Sequence, residues 1–196
     1  MVNKIKKYYL INDGNYSDFV MEEPKKFDEL TKENTDMYVN GELVKFKRFL
    51  YKEELFNENN ESEQKEIKYV FDHKLTRLDY MFFACETITS VKFVNVNTSL
   101  VTTMAFMFSG CFKLNTVDLT CFNTRNLKNI FNSFFAGPFI EELDLSSFDF
   151  SNIDDMDDSN YGAVFGRSGI GKIIVSKTQN KEKIRNILEI ENIIYK

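Results

Sequence analysis

Apolar residues return along this chain at a fixed interval of 26 residues. Phe82, Phe108 and Phe134 share one column, and Ile88, Leu114 and Ile140 the next. Val91, Val117 and Leu143 follow, then Phe93, Leu119 and Leu145. Further columns hold Val96, Phe122 and Phe148, then Val101, Leu127 and Ile153, then Met104, Ile130 and Met156. After an insertion of four or five residues near Asp157–Gly162, the columns resume at Phe165, Ile170, Ile173 and Val175. A partial turn precedes the first full one, with Ile67 and Tyr69 as its strand and Leu75 and Leu78 in the Val101 and Met104 columns. One such unit cannot bury its own apolar face, so neighbouring units must supply the core.

The pattern inside each unit predicts its elements. In Val91-Lys-Phe93, Val117-Asp-Leu119, Leu143-Asp-Leu145 and Ile173-Ile-Val175 the flanking residues share one face of a strand. Stacked units then pair these strands in a parallel ladder. Met104, Met107 and Phe108 stand at i, i+3 and i+4, the spacing of one helical face, which predicts a short helix or turn. The expected fold class is an α/β solenoid, a leucine-rich-repeat stack over residues 67–176. Residues 1–66 are expected as a non-repeating N-terminal cap, or else a small separate domain, with a hairpin at Asn40-Gly41, a pair that tolerates positive φ. Residues 177–196 supply a C-terminal capping helix, marked by Ile184, Ile187 and Leu188.

The run Met107-Phe-Ser-Gly-Cys111-Phe-Lys-Leu114-Asn-Thr-Val117-Asp-Leu119-Thr-Cys-Phe122-Asn-Thr-Arg-Asn-Leu127 resembles the repeat of BspA-type leucine-rich-repeat proteins. The match is loose over 81–101 and close over 107–127 and 143–153. It departs at Gly137 and Pro138, where the family pattern has Cys. Such repeats recur in surface proteins of low-GC bacteria and mycoplasmas. The resemblance implies adhesion or protein binding, usually at the cell surface.

Composition narrows the function classes. The hydrophobic fraction is 43%, with 20 Phe, which is ample for a core. A formal net charge of −5 argues against a broad nucleic-acid surface, which needs clustered Lys and Arg. The first fourteen residues lack the apolar stretch of a secretory signal, and no run approaches a bilayer-spanning length. The chain therefore reads as cytoplasmic without membrane contact, or as a cell-surface protein if it is a processed form.

Candidate chemistry is sparse. Cys85, Cys111 and Cys121 form no paired framework, and the first two share a column as core residues. His73 lies in a polar turn without an implied nucleophile. Gly166-Arg-Ser-Gly-Ile-Gly171-Lys172 imitates the start of a P-loop, but Ile173 stands where Ser or Thr is needed. Asp155 to Asn160 suggests a calcium loop, yet Asn160 and Gly166 occupy the positions that want Gly and Glu. No cofactor, metal or catalytic set is expected.

The acidic tract is the main surface feature. Between Asn129 and Gly166 there is no Lys or Arg, while Glu141, Glu142, Asp144, Asp149, Asp154, Asp155, Asp157 and Asp158 fall there. Such a run is either a solvated face or a site of use. The outward strand column reads Lys92, Asp118, Asp144 and Ile174, flanked by Glu142 on one side and by Thr120 and Ser146 on the other. The expected contact surface is Lys92, Asp118, Thr120, Glu142, Asp144 and Ser146, with Asp155, Asp157 and Asp158 as an acidic rim. The expected function is a non-catalytic scaffold that binds a protein with a basic surface. The alternatives are a small phage or mobile-element inhibitor blocking a host nucleic-acid enzyme such as a defence nuclease, and, further off, an enzyme using residues 1–66.

Overall fold

The computed structural model describes residues 3–6, 28–47, 65–134, 136–153, 164–188 and 191–196. Among these, strands form where apolar residues alternate with polar ones or gather in short β-branched runs. They are β1 (Asn3–Lys6), β2 (Thr35–Val39), β3 (Glu42–Val44), β4 (Ile67–Phe71) and β5 (Ser90–Val94). Then follow β6 (Thr116–Asp118), β7 (Glu142–Asp144) and β8 (Lys172–Val175), the helix α1 (Lys181–Leu188), and β9 (Ile193–Tyr195). In β4 and β5 burial alternates strictly, so Ile67, Tyr69, Phe71, Val91 and Phe93 face the core. Asn40 and Gly41 take φ of 49° and 89° at the tip of the β2–β3 hairpin, as a type I′ turn requires.

The expected leucine-rich-repeat solenoid with one continuous parallel ladder is not what forms. The strands make two small sheets, ordered β3-β2-β4-β1-β5-β6 and β7-β8-β9. β1 lies between β4 and β5 and pairs antiparallel with both, so the partial turn is separated from the first full one. The N-terminal strands are thus woven into the sheet rather than laid over its end. Among the described residues, parallel strand pairing joins β5–β6, β7–β8 and β8–β9, with one isolated parallel bridge between Thr103 and Asn129. β6 and β7, although one period apart, belong to different sheets. At the C-terminus α1 is followed by β9, which joins β8, so the end is not a plain helical cap.

The segments expected as short helices or turns are linked turns. The N–H groups of Leu78, Tyr80, Phe82 and Ala84 donate to the carbonyls of Thr103, Ala105, Met107 and Ser109 in the next repeat, at 2.8–3.0 Å. The intervening Met81, Phe83 and Cys85 donate locally to Leu78, Tyr80 and Phe82. Met104, Phe106 and Phe108 repeat the lateral pattern toward Asn129, Phe131 and Ser133. Half the amides therefore link neighbours, where an α-helix would keep all of them inside the segment. The alternation rests on left-handed residues one period apart: Tyr80, Phe106 and Asn132, and again Ala84, Gly110 and Ala136.

The core runs beneath both sheets. Phe82, Phe108, Phe134 and Phe165 stack in sequence with ring centroids 5.4, 5.2 and 5.3 Å apart. Phe93, Phe122 and Phe148 form a second row at 4.7 and 6.3 Å. Such stacked and edge-to-face pairs add about 0.5–1.5 kcal/mol each beyond area burial. A polar seam holds the turns opposite: Thr98 Oγ1 donates to the Asn123 carbonyl at 3.1 Å and accepts from Asn123 N–H at 2.8 Å. Thr124 Oγ1 accepts from Asp149 N–H at 2.7 Å.

Candidate functional site

The strand register decides which of the anticipated contact residues meet. In β5–β6, Lys92 stands opposite Asp118, and Nζ lies 3.7 Å from the carboxylate. In β7–β8, Glu142 stands opposite Lys172 at 2.7 Å. Both pairs are at least partly exposed, where an ion pair contributes little. Ile174, the fourth member of the outward column, is buried at 1% exposure, so the face closes at β8.

The aspartates are occupied within their own turns. Asp118 Oδ1 accepts from the Thr120 N–H at 3.1 Å and from its hydroxyl at 2.6 Å. Asp144 Oδ1 accepts from Ser146 N–H at 2.8 Å. Asp149 accepts from the Ser151 N–H at 2.9 Å and hydroxyl at 2.5 Å. Asn97 does the same for Ser99, two turns of the pattern earlier. These are Asx turns, in which a short side chain replaces a main-chain turn bond. The Thr120 hydroxyl holds the Asp118 carboxyl below the usual carboxylate range, with the Thr120 N–H and Lys92 adding to it. Ser151 does the same for Asp149, through hydroxyl and N–H. Glu142 beside Lys172 pushes that ammonium up.

The structure therefore joins Lys92 with Asp118 and Thr120, and Glu142 with Lys172, while Asp144 and Ser146 make a separate turn on β7. Asp155, Asp157 and Asp158 lie outside the described residues, as do Asp154 and the insertion around them. Among the described residues no group of three or more His, Cys, Asp or Glu is placed to hold a metal ion. Cys85 and Cys111 are buried, and burial pushes both thiols up, away from reactivity. The Cys111 thiol donates to the Phe82 carbonyl at 3.0 Å.

Two features escape a reading by columns. Phe112 and Phe139 are 52% and 68% exposed, just before β6 and β7. Phe139 is seated over Gly169, where a Cβ would meet its ring at 2.2 Å. Glu29 reaches from the N-terminal region to the main chain at Thr76 and Arg77. Nothing in the local sequence of either feature signals it, because each depends on a contact between distant segments.

Fold and surface together define a repeat-containing protein, two small sheets over one phenylalanine-rich core, with a polar, charge-paired strand face. Residues 50–173 match the family model described as Mycoplasma protein of unknown function, DUF285, and the chain belongs to that family. No curated protein and no solved structure matches the chain.

Proposed function

We propose that this chain is a non-catalytic protein-binding module that engages a partner through the exposed side of β5, β6, β7 and the start of β8. The observation that carries the reading is the register of charge across that face. Lys92 meets Asp118 and Glu142 meets Lys172, and rigid turns fix Asp118 and Asp144. A preorganised pattern of both signs selects partners by complementarity more than by affinity. Kinship supports this reading, since the DUF285 family is related to the BspA-type repeat family, and the resemblance to that repeat implies protein binding. A nucleic-acid mimic would present unneutralised carboxylates in a row, whereas on this face Asp118 and Glu142 are each paired with a lysine. The partner we favour therefore carries charges of both signs rather than a uniformly basic groove.

The test exchanges charges without touching the aspartates that shape the turns. Glu142→Lys with Lys172→Glu keeps an ion pair while inverting its polarity, and Lys92→Glu alters the neighbouring ladder. The native chain is used to capture partners from cells of its source, and the triple variant is measured against each captured protein. Binding weakened at least tenfold, with an unchanged circular dichroism spectrum, supports the face. Undiminished binding by the folded variant removes it.

A further inference from the structure

The outer strands of the two sheets differ in chemistry. β6 and β7 are neighbouring repeats, bridged where Phe139 N–H donates to the Leu114 carbonyl at 2.9 Å. β3, at the far edge of the first sheet, carries Glu42 and is followed by Lys45 and Lys47, charges of the kind that blunt an edge. β9, at the far edge of the second sheet, reads Ile193-Ile194-Tyr195, without charge, proline or glycine. Among the described residues no strand pairs with its outer side. Ile194 is 41% exposed there, although it is aliphatic.

The bonds on the inner side of β9 fix what its outer side offers. Ile173 N–H donates to the Asn192 carbonyl at 3.0 Å, Lys196 N–H to the Val175 carbonyl at 3.0 Å, and Lys177 N–H to the Lys196 carbonyl at 2.7 Å. In a parallel ladder, alternate residues of a strand turn to the same neighbour. Asn192, Ile194 and Lys196 therefore turn their main-chain groups to β8, and Ile193 and Tyr195 turn theirs outward. The Ile193 N–H is occupied by the Glu191 carbonyl at 2.9 Å. That leaves the Ile193 carbonyl as an acceptor and the Tyr195 N–H as a donor, two residues apart. Both side chains pack against the core, and Lys181 Nζ stands 4.8 Å from the centre of the Tyr195 ring, so the edge is held in place.

Such an edge is complementary to itself. In an antiparallel pair, the Tyr195 N–H of each copy meets the Ile193 carbonyl of the other. This register sets Ile194 opposite its own counterpart on a two-fold axis, as a non-hydrogen-bonded pair with Cα atoms about 4.5 Å apart. On the core side each Tyr195 faces an Ile193, an aromatic beside a β-branched residue, which is a favourable cross-strand pair. The flanking charges select the direction. Glu191 precedes the strand and Lys196 follows it, so antiparallel pairing brings unlike charges together at both ends. Parallel pairing would set like beside like. The geometry points to β9 as a homodimerisation edge: a second copy of this chain adds its own β9 antiparallel and extends β7-β8-β9 to six strands. The contact is isologous and closes at two copies. It lies apart from the charge-paired pairs of β5–β6 and β7–β8 and does not depend on what that face binds.

Sedimentation velocity of the full chain over a hundredfold range of concentration reads the association. The parent passes reversibly from monomer to dimer. Ile194→Lys places two ammonium groups at the axis and raises the concentration needed for dimer at least tenfold, with an unchanged circular dichroism spectrum. A parent that stays monomeric up to about 200 μM overturns the edge. So does a folded Ile194→Lys chain that dimerises like the parent, and so does growth beyond the dimer. Cross-linking tests the register itself, in a Cys121→Ser background that removes the exposed native thiol. Under a glutathione redox buffer, Ile194→Cys forms a disulfide-linked dimer at least tenfold faster than Leu43→Cys, an exposed position on β3. Equal rates at the two positions overturn the two-fold pairing.

Discussion

Phe108 sits at the middle of the longest aromatic row, with Phe82 stacked at 5.4 Å on one side and Phe134 at 5.2 Å on the other. It is fully buried. Phe108→Ala removes the ring and leaves a cavity, which costs about 3–5 kcal/mol where neighbours cannot collapse. Both neighbours are held by main-chain bonds, Phe82 N–H to the Met107 carbonyl and Phe134 N–H to the Val164 carbonyl, so collapse is restricted. Urea denaturation should show that loss, with Phe108→Leu falling well short of it. Equal losses for Leu and Ala would mean that stacking, rather than volume, sets the cost. The residues in these columns were legible from the period of 26 alone, because burial depends on spacing and apolarity. Phe82, Val91, Leu143 and Ile173 are all buried. Ile174, in the outward column, is nevertheless buried, and strand alternation alone does not reveal such cover.

At the scale of the element, the Asx turns convert a local side-chain bond into a dependence on pH. Asp118 and Asp149 have pKa values lowered in the folded state, chiefly by the hydroxyls of Thr120 and Ser151. A lowered folded value means that the stabilisation is complete above the ordinary carboxylate range. It is lost as pH falls through the folded value. Asn already makes this turn at Asn97 and Asn123, so an amide can take the place without a charge. The double variant Asp118→Asn/Asp149→Asn should lose less of its thermal midpoint than the parent between about pH 5 and pH 2. Parallel curves would show that these turns do not respond to protonation. The short helix or turn expected at Met104–Phe108 illustrates what periodicity leaves open. Met104, Met107 and Phe108 are buried together as the spacing implies, yet alternate amides leave the segment for the next repeat. Side-chain spacing reports which face is buried and is silent on where the N–H groups go. Gly110 hints at a left-handed residue, but Tyr80 and Phe106 give no such hint, since bulky side chains seldom adopt positive φ. The charge-paired face was legible as a column, while the turn bonds that occupy its aspartates needed the Asp–x–Thr/Ser spacing to be read as chemistry rather than as charge.

For the whole molecule, two sheets need not mean two folding units. No strand pairing joins β6 to β7, which argues for independence. Against it, the phenylalanine row crosses that gap without a break, from Phe108 to Phe134. The Phe108 N–H also donates to the Ser133 carbonyl at 2.7 Å, and Phe139 N–H to the Leu114 carbonyl at 2.9 Å. One buried cluster extends from Leu30 to Leu188, so exposing either sheet would strip apolar surface from the other. In linear repeat arrays, stability is the sum of each unit and its interfaces, and a weak interface splits the transition. Here the interface between the sheets is made of core rings and main-chain bonds. It should be strong enough to keep the transition single. Differential scanning calorimetry should give one peak with a calorimetric enthalpy equal to the van't Hoff value. Phe82→Leu and Ile173→Val, placed on opposite sides of the gap, should shift that one peak. Two peaks, each moved by only one of these substitutions, would show that the break in strand pairing divides the protein after all.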